Sequence, residues 1–225
     1  MRATDPEIRQ RALERLAAAY WRPVYTYLRL HWREPEEDAR DLAQGFFVAL
    51  IERDLAARWD PSRARFRTWV RTCLDSFVAD ERRAAGRRKR GGGTVHVPLE
   101  AEGIEDELAG VIAPPAEDAD ALFRREWIRG LFLGSVRALR DELRATGRET
   151  RLRLFERYDL ADEADRPTYA RLATEESLDV AKVGNELYAA RARLRALVLE
   201  RLRECTTDEE EYRAEARELF GSDGP

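Results

Sequence analysis

Residues 66–90 read FRTWVRTCLDSFVADERRAAGRRKR, and the pattern of this stretch decides the fold. Phe66, Trp69, Val70, Cys73, Leu74, Phe77 and Val78 recur at three- and four-residue steps, the spacing that gathers apolar side chains on one side of an α-helix. Between Arg63 and Arg90 ten Lys/Arg residues stand against three acids (Asp75, Asp80 and Glu81), a local balance of +7. The stretch therefore predicts an amphipathic helix, buried along one stripe and basic elsewhere, that dissolves in the run GRRKRGGG.

Working upstream, DARDLAQGFFVAL at 38–50 predicts a second helix, with Ala39, Leu42, Phe46, Phe47, Leu50 and Ile51 as its apolar stripe. Pro35 suits a first helical turn, and Glu36, Glu37 and Asp38 suit the positive end of a helix dipole. Ile8, Leu13, Leu16, Tyr20, Val24, Tyr27 and Leu28 predict a helix over 5–30, which Pro23 is expected to kink or divide. Asp60-Pro61-Ser62 is a turn signal.

Downstream, 91–120 is rich in Gly, Pro and acids and reads as an extended linker, with one short strand or turn at Val95–Leu99. Helical periodicity resumes from Leu122 to Leu143 and from Thr150 to Tyr158. After Pro167 come TYARLATEE and a longer segment from Val180 to Leu202, parted at Ser177-Leu178-Asp179, where Asp179 suits an N-cap. Two helices around so short a turn, the second longer and polar at its start, form a helix-turn-helix pattern. Glu209–Phe220 reads as a last amphipathic piece. The expected fold class is all-α, with helical domains at 1–90 and 121–205, a linker at 91–120 and an acidic C-terminal extension at 206–225.

The 225 residues carry a formal net charge of -4, which taken as an average argues against nucleic acid. The charge is segregated, however: segments 100–120 and 204–218 are acidic while the third helix is basic, a footprint of polyanion binding. No apolar run approaches the roughly 18 residues of a membrane span. MRATDPEIRQ lacks a signal core, so a cytoplasmic location is expected. Cys73 and Cys205 read as packing residues. Only His31 and His96 occur, and neither has Glu three positions before it, since Leu28 and Gly93 stand there. With no phosphate-cradling loop or nucleophile elbow, the reading is a non-enzyme with no catalytic residues, no metal and no cofactor.

On the third helix Arg67, Arg71, Arg82, Arg83, Arg87 and Arg88 can follow a phosphate backbone. Phe66 and Trp69 fit either the apolar stripe or a surface on which unstacked bases lie. At the start of the last long helix Lys182, Asn185 and Tyr188 can reach base edges, with Arg171, Arg191 and Arg193 as phosphate contacts.

These residues resemble the bacterial RNA polymerase sigma factors of the extracytoplasmic-function type. Asp38-Ala39-Arg40-Asp41-Leu42-Ala43-Gln44-Gly45-Phe46-Phe47, Trp59-Asp60-Pro61, Phe66-Arg67-Thr68-Trp69-Val70, and Asp80 with Arg82 and Arg83 are similar to region 2 of that family. Tyr169, Leu172, Ala173, Leu178, Val183, Leu187, Ala190, Arg191, Arg193 and Leu194 fall in register with region 4. The resemblance covers roughly 15–90 and 121–203. It implies that Asp38, Asp41, Leu42, Gln44 and Phe47 bind core RNA polymerase. It further implies that Phe66, Arg67, Trp69, Arg71, Arg82 and Arg83 hold melted promoter DNA, and that Arg171, Lys182, Asn185, Tyr188 and Arg191 read the upstream element. Promoter DNA and core polymerase are the implied partners, with an anti-sigma factor or a regulatory kinase as candidates for control.

The departures from the family pattern matter. Arg40 and Gly45 replace acidic positions in the polymerase-binding segment, which implies that docking needs a partner or an added charge. Asp75 and Ser76 stand where the family has Arg and Asn. Gly184 and Glu186 replace basic residues of the recognition helix, and Glu186 would repel phosphate or accept from a cytosine amino group. Glu176 fills a usually apolar slot and predicts a shifted turn. Two alternatives stand beside this reading: a helix-turn-helix regulator that binds duplex DNA by itself, and a sigma-like interaction module that has lost promoter binding.

Overall fold

The computed structural model describes residues 6–53, 59–60, 62–85, 104–108, 118–206 and 208–221, and no strand occurs among them. The elements in chain order are α1 (Pro6–Leu30), α2 (Glu36–Glu52), α3 (Phe66–Ala85), α4 (Ile104–Leu108), α5 (Ala119–Ala145), α6 (Glu149–Asp159), α7 (Tyr169–Glu175), α8 (Val180–Cys205) and α9 (Glu209–Phe220). The strand or turn expected at Val95–Leu99, and Arg87 and Arg88 of the basic run, lie outside the described residues. No helix of the described residues is long and apolar enough to cross a membrane. Cys73 and Cys205 are not disulfide-linked, and each is half-buried.

Contacts divide the chain into two compact units, 1–130 with 204–212 and 131–203 with 213–225. The division falls inside α5 rather than in the Gly/Pro-rich stretch. The reason is the first half of α5, whose apolar residues Leu122, Phe123 and Trp127 are buried in the first unit. Trp127 stacks against Tyr20, with ring centroids 6.5 Å apart, and Phe123 meets Tyr27 edge-on at 5.7 Å. Glu126, almost fully buried, is held by Arg22 at 3.3 Å.

The first unit is built on α1. Tyr20, Trp21, Val24, Tyr25, Tyr27 and Leu28 are buried around Pro23, and α1 runs through that proline without starting a second helix. Pro23 is itself buried, and burial of the surrounding apolar side chains offsets the hydrogen bond that a mid-helix proline forfeits. α2 begins at Glu36 with Pro35 as its N-cap and three acids in its first turn. It packs Phe46 between Phe47 and Phe77, with centroids 5.6 and 5.8 Å away. A Cβ at Gly45 would lie 3.3 Å from the tip of the Phe77 ring, so a larger residue there requires that ring to give by a few tenths of an ångström.

Within the stretch read as linker, α4 is helical and docked. Ile104 is buried, and Glu105 takes two hydrogen bonds from Arg29, at 2.8 and 2.9 Å, and one from the Tyr25 hydroxyl. The pairing with Arg29 holds the Glu105 carboxyl below its usual range, while burial and the nearby carboxylate push the Tyr25 hydroxyl well up.

In the second unit, Leu139, Leu143, Leu152, Phe155, Ala190 and Leu197 form one core cluster, and Leu154, Leu172, Ala173, Val183 and Leu187 form another. Two helix ends are closed by the same device, in which a residue of positive φ lets two backbone N–H groups turn back onto the last turn. At the end of α5 the residue is Gly147, φ 65°, with Arg148 N bonded to Leu143 O and Gly147 N to Arg144 O. At the end of α7 it is Ser177, φ 55°, with Leu178 N bonded to Ala173 O and Ser177 N to Thr174 O.

Within the C-terminal extension Glu209–Phe220 is the helix α9, in the place the sequence pattern gives it. Glu211 accepts a 2.6 Å hydrogen bond from the backbone N–H of Phe66, the first residue of α3, so α9 caps α3 within the first unit. In the second unit Phe220 lies 6.2 Å from Phe132, with Arg195 over its ring at 4.7 Å.

Candidate nucleic-acid interface

The helix-turn-helix is α7, the turn Glu176–Asp179, and α8. Thr168 caps α7 by accepting from Arg171 N, and Asp179 caps α8 by accepting from Lys182 N at 2.6 Å, in the place expected for it. Val183, Leu187 and Ala190 turn one face of α8 into the core. That register leaves Lys182, Asn185 and Tyr188 on the outside, and Tyr188 is 75% exposed. Gly184 is half-buried beneath Tyr169, whose ring lies 3.9 Å from where a Cβ would stand.

Glu176, where a shifted turn was expected, sits as the C-cap of α7, and its side chain, mostly covered, receives Arg153 at 2.7 Å. Arg153 holds that carboxyl below its ordinary range. Glu186 is also not a group aimed outward at bases, because it is mostly buried and reaches across to Arg151 of α6 at 2.6 Å, with Lys182 at 3.1 Å on its other oxygen. Burial alone would raise the Glu186 carboxyl, but the hydrogen bonds from Arg151 and Lys182 outweigh it and the group is lowered. Arg171 pairs with Glu175 at 2.9 Å, and Arg157 takes the other oxygen of that carboxylate at 2.5 Å. Arg191 is bidentate to Asp159, touches the Tyr169 hydroxyl at 3.3 Å and lies over the Tyr158 ring at 5.4 Å. Arg193, expected on phosphate, bridges Glu142 and Glu200 instead, both at 2.8 Å.

Two of the residues expected to face melted DNA are withdrawn from the surface. Phe66 is 7% exposed, edge-on to Tyr20 and Trp59 and stacked on Trp69. Arg67 is 9% exposed, with its guanidinium 5.5 Å from the Trp127 ring centroid. Burial of the first turn of α3 against α1 and α5 is the reason in both cases, so neither belongs to the exposed face. Trp69 is half-buried. Arg71 is held between Asp75 at 2.5 Å and Asp120 at 2.6 Å. Arg82 and Arg83 are exposed: Arg83 pairs with Asp80, and Arg82 reaches Glu34 and the Trp32 carbonyl while lying 4.7 Å over the Trp32 ring.

Trp32 carries no signal in the pattern of α1, yet the fold makes it an organiser of this face. Its ring N–H donates to Asp75 at 3.1 Å, as does the Tyr27 hydroxyl at 3.0 Å. Asp75, a departure from the family pattern, is thus the acceptor that joins Tyr27, Trp32 and Arg71. Burial, together with this carboxylate, pushes the Tyr27 hydroxyl up.

The set on α2 expected to bind polymerase divides in the same way. Asp38 and Asp41 are exposed and Leu42 is half-buried. Gln44 and Phe47 are in the core, Phe47 completely, because their side of α2 faces Trp21 and the rest of α1. They can support a docking surface but not form it. Arg40 pairs with Glu36 at 2.9 Å, removing one acid from that surface.

No protein-family model matches the chain, and no curated protein or solved structure matches it.

Proposed function

We propose that the chain is a promoter-recognition subunit of RNA polymerase, of the extracytoplasmic-function sigma type, working in the cytoplasm. The observation that carries the reading is the capped helix-turn-helix, with Lys182, Asn185 and Tyr188 standing off the core on the first turns of a long α8. An α-helix fits the major groove, where a side-chain amide pairs with adenine and a lysine with guanine. The order of the two resemblances along the chain supports the rest: a basic helical unit precedes the helix-turn-helix.

In this reading Asp38, Asp41 and Leu42 meet the basic helices of the polymerase clamp. Trp69, Arg82 and Arg83 lie along the melted strand. Lys182, Asn185 and Tyr188 enter the groove of the upstream element, with Arg171 and Arg191 at its phosphates. Unstacking a base costs a few kcal/mol, and stacking on an aromatic side chain returns about 1–3 kcal/mol. Only Trp69, of the aromatics expected there, has exposed surface to offer.

The burial of Phe66 and Arg67 favours a second reading, an interaction module of the same architecture that no longer melts promoters. Transcription in vitro separates them. Adding the chain to core polymerase on a library of promoter fragments should yield specific transcripts that neither component gives alone. Specific DNA binding by the free chain would point instead to a stand-alone regulator, and binding to polymerase without transcripts would point to the module.

A further inference from the structure

The cations that a DNA backbone would recruit around the helix-turn-helix already hold carboxylates. Glu175 receives Arg171 and Arg157, Glu186 receives Lys182 and Arg151, and Asp159 receives both nitrogens of the Arg191 fork. These are not only neighbours on one helix. Asp159 and Arg191 are 32 residues apart in sequence, and Arg151 and Glu186 are 35 apart. The Arg171–Glu175 pair is largely exposed, and such pairs add little to folding stability, while Glu186 and Asp159 are mostly covered and hold their cations across helices.

We propose that Asp159, Glu175 and Glu186 are specificity-determining residues, in that Asp159 and Glu175 compete with DNA phosphate for Arg191 and Arg171 while Glu186 keeps Lys182 from phosphates until a base edge is offered, an inference that rests on α8 being the DNA-reading helix. The chemistry follows from where each type of contact gets its energy. Phosphate contacts are independent of sequence and act through release of counterions, whereas base contacts discriminate. A carboxylate already seated on an arginine does the work of the counterion and must be displaced rather than released, so the indiscriminate term falls. Asn185 and Tyr188 are neutral, and their contacts with base edges are untouched by the competition. The acids therefore lower binding to random duplex more than binding to the correct site, and leave the chain dependent on a polymerase to hold it on DNA.

The experiment uses the full chain with Asp159→Asn, Glu175→Gln and Glu186→Gln, singly and together, titrated against a random-sequence duplex over a range of salt. Each carboxylate removed should tighten binding several-fold, up to about tenfold at low salt, and steepen the slope of log K against log salt by about 0.9 for each phosphate gained. With core polymerase present, the preference for promoter over random duplex should fall in the triple variant. Unchanged or weaker binding with an unchanged slope, in a variant that melts at the parent temperature, overturns the proposal. Glu175→Gln is the safeguard against misfolding, since its side chain is a third exposed at the end of α7. Failure of the promoter reading is seen separately. If the parent chain directs no transcription yet the variants gain affinity for duplex, the competition stands and the sigma assignment falls; a flat titration removes the competition whatever the polymerase assay gives.

Discussion

Replacing Tyr188 with alanine removes a side chain that is 75% exposed, while the same change at Leu187 removes one with no exposed surface. The two residues are adjacent on α8, so any difference between the variants reports the face rather than the position. Complete burial of a large apolar side chain is worth about 1.5–3 kcal/mol, and the quarter of Tyr188 that is covered is therefore worth about 0.5 kcal/mol. The better helix propensity of alanine returns an amount of that order, so Tyr188→Ala should leave stability within about 0.5 kcal/mol of the parent. Leu187→Ala empties a site in the cluster with Leu154, Leu172, Ala173 and Val183 and should cost about 2–5 kcal/mol. If Tyr188 reaches the groove, its loss should cost about 1–3 kcal/mol of specific binding, or about 5- to 150-fold in promoter affinity. Denaturant unfolding and footprinting with core polymerase measure the two quantities side by side. A stability loss of about 2 kcal/mol in Tyr188→Ala would contradict the assignment of the face. Parent-like promoter affinity in that variant would remove Tyr188 from the reading surface.

Ser177 has φ 55°, a conformation glycine adopts without cost, so Ser177→Gly should stabilise the turn by about 0.5–1 kcal/mol; an unchanged or lower midpoint of unfolding would show that serine is not strained there. Glu211→Gln keeps the shape of the cap on Phe66 but removes its charge from the start of α3, and the change should cost about 1 kcal/mol or less, whereas Glu211→Ala should cost about 1–2 kcal/mol. Identical unfolding curves for all three proteins would show that α9 does not cap α3. Acid should act through the lowered carboxyls, Glu105 held low by Arg29 in the first unit and, in the second, Glu142 by Arg193, Glu175 by Arg171 and Arg157, Glu176 by Arg153, and Glu186 despite its burial. Folding lowers each of them from an unfolded value of about 4.3, so their contribution is complete above that pH and is lost as pH falls through the folded values. The melting temperature should be level from neutral pH to about 5 and then decline, and Glu142→Gln should make the decline shallower; a decline unaffected by that change would place the acid sensitivity elsewhere.

The helices were legible in the sequence because each depends on local signals that agree. The apolar period of α2, the acids in its first turn and the proline before it all belong to neighbours in the chain, and so do the Thr168 and Asp179 caps. The exposed face of α8 was legible for the same reason: once Val183, Leu187 and Ala190 are assigned to the core, Lys182, Asn185 and Tyr188 can only point outward. The roles of Trp32, Trp127 and Glu211 were not legible. Each acts through a contact 43 or more residues away, Trp32 on Asp75, Trp127 with Tyr20 and Arg67, and Glu211 on Phe66, and no periodicity within one helix encodes such a partner.

The same distinction separates the amount of charge on α3 from its availability. A local balance of +7 counts ten cations against three acids in one segment, and it is correct as a count. Which cations face water depends on carboxylates and rings supplied from elsewhere in the fold. Arg67 lies against Trp127, Arg71 is shared between Asp75 of its own helix and Asp120 of α5, and Arg82 is drawn to Glu34 in the connection between α1 and α2. Asp120 and Glu34 stand outside the window, and one of them falls in the acidic stretch that composition assigns to a linker. An acidic segment flanking a basic helix is therefore not only a solubilising spacer; it supplies counter-charges that decide which arginines a polyanion can reach. In this chain that choice leaves Arg82 and Arg83 as the exposed described cations of α3's last turn, and a polyanion that engages them must first displace Glu34 and Asp80.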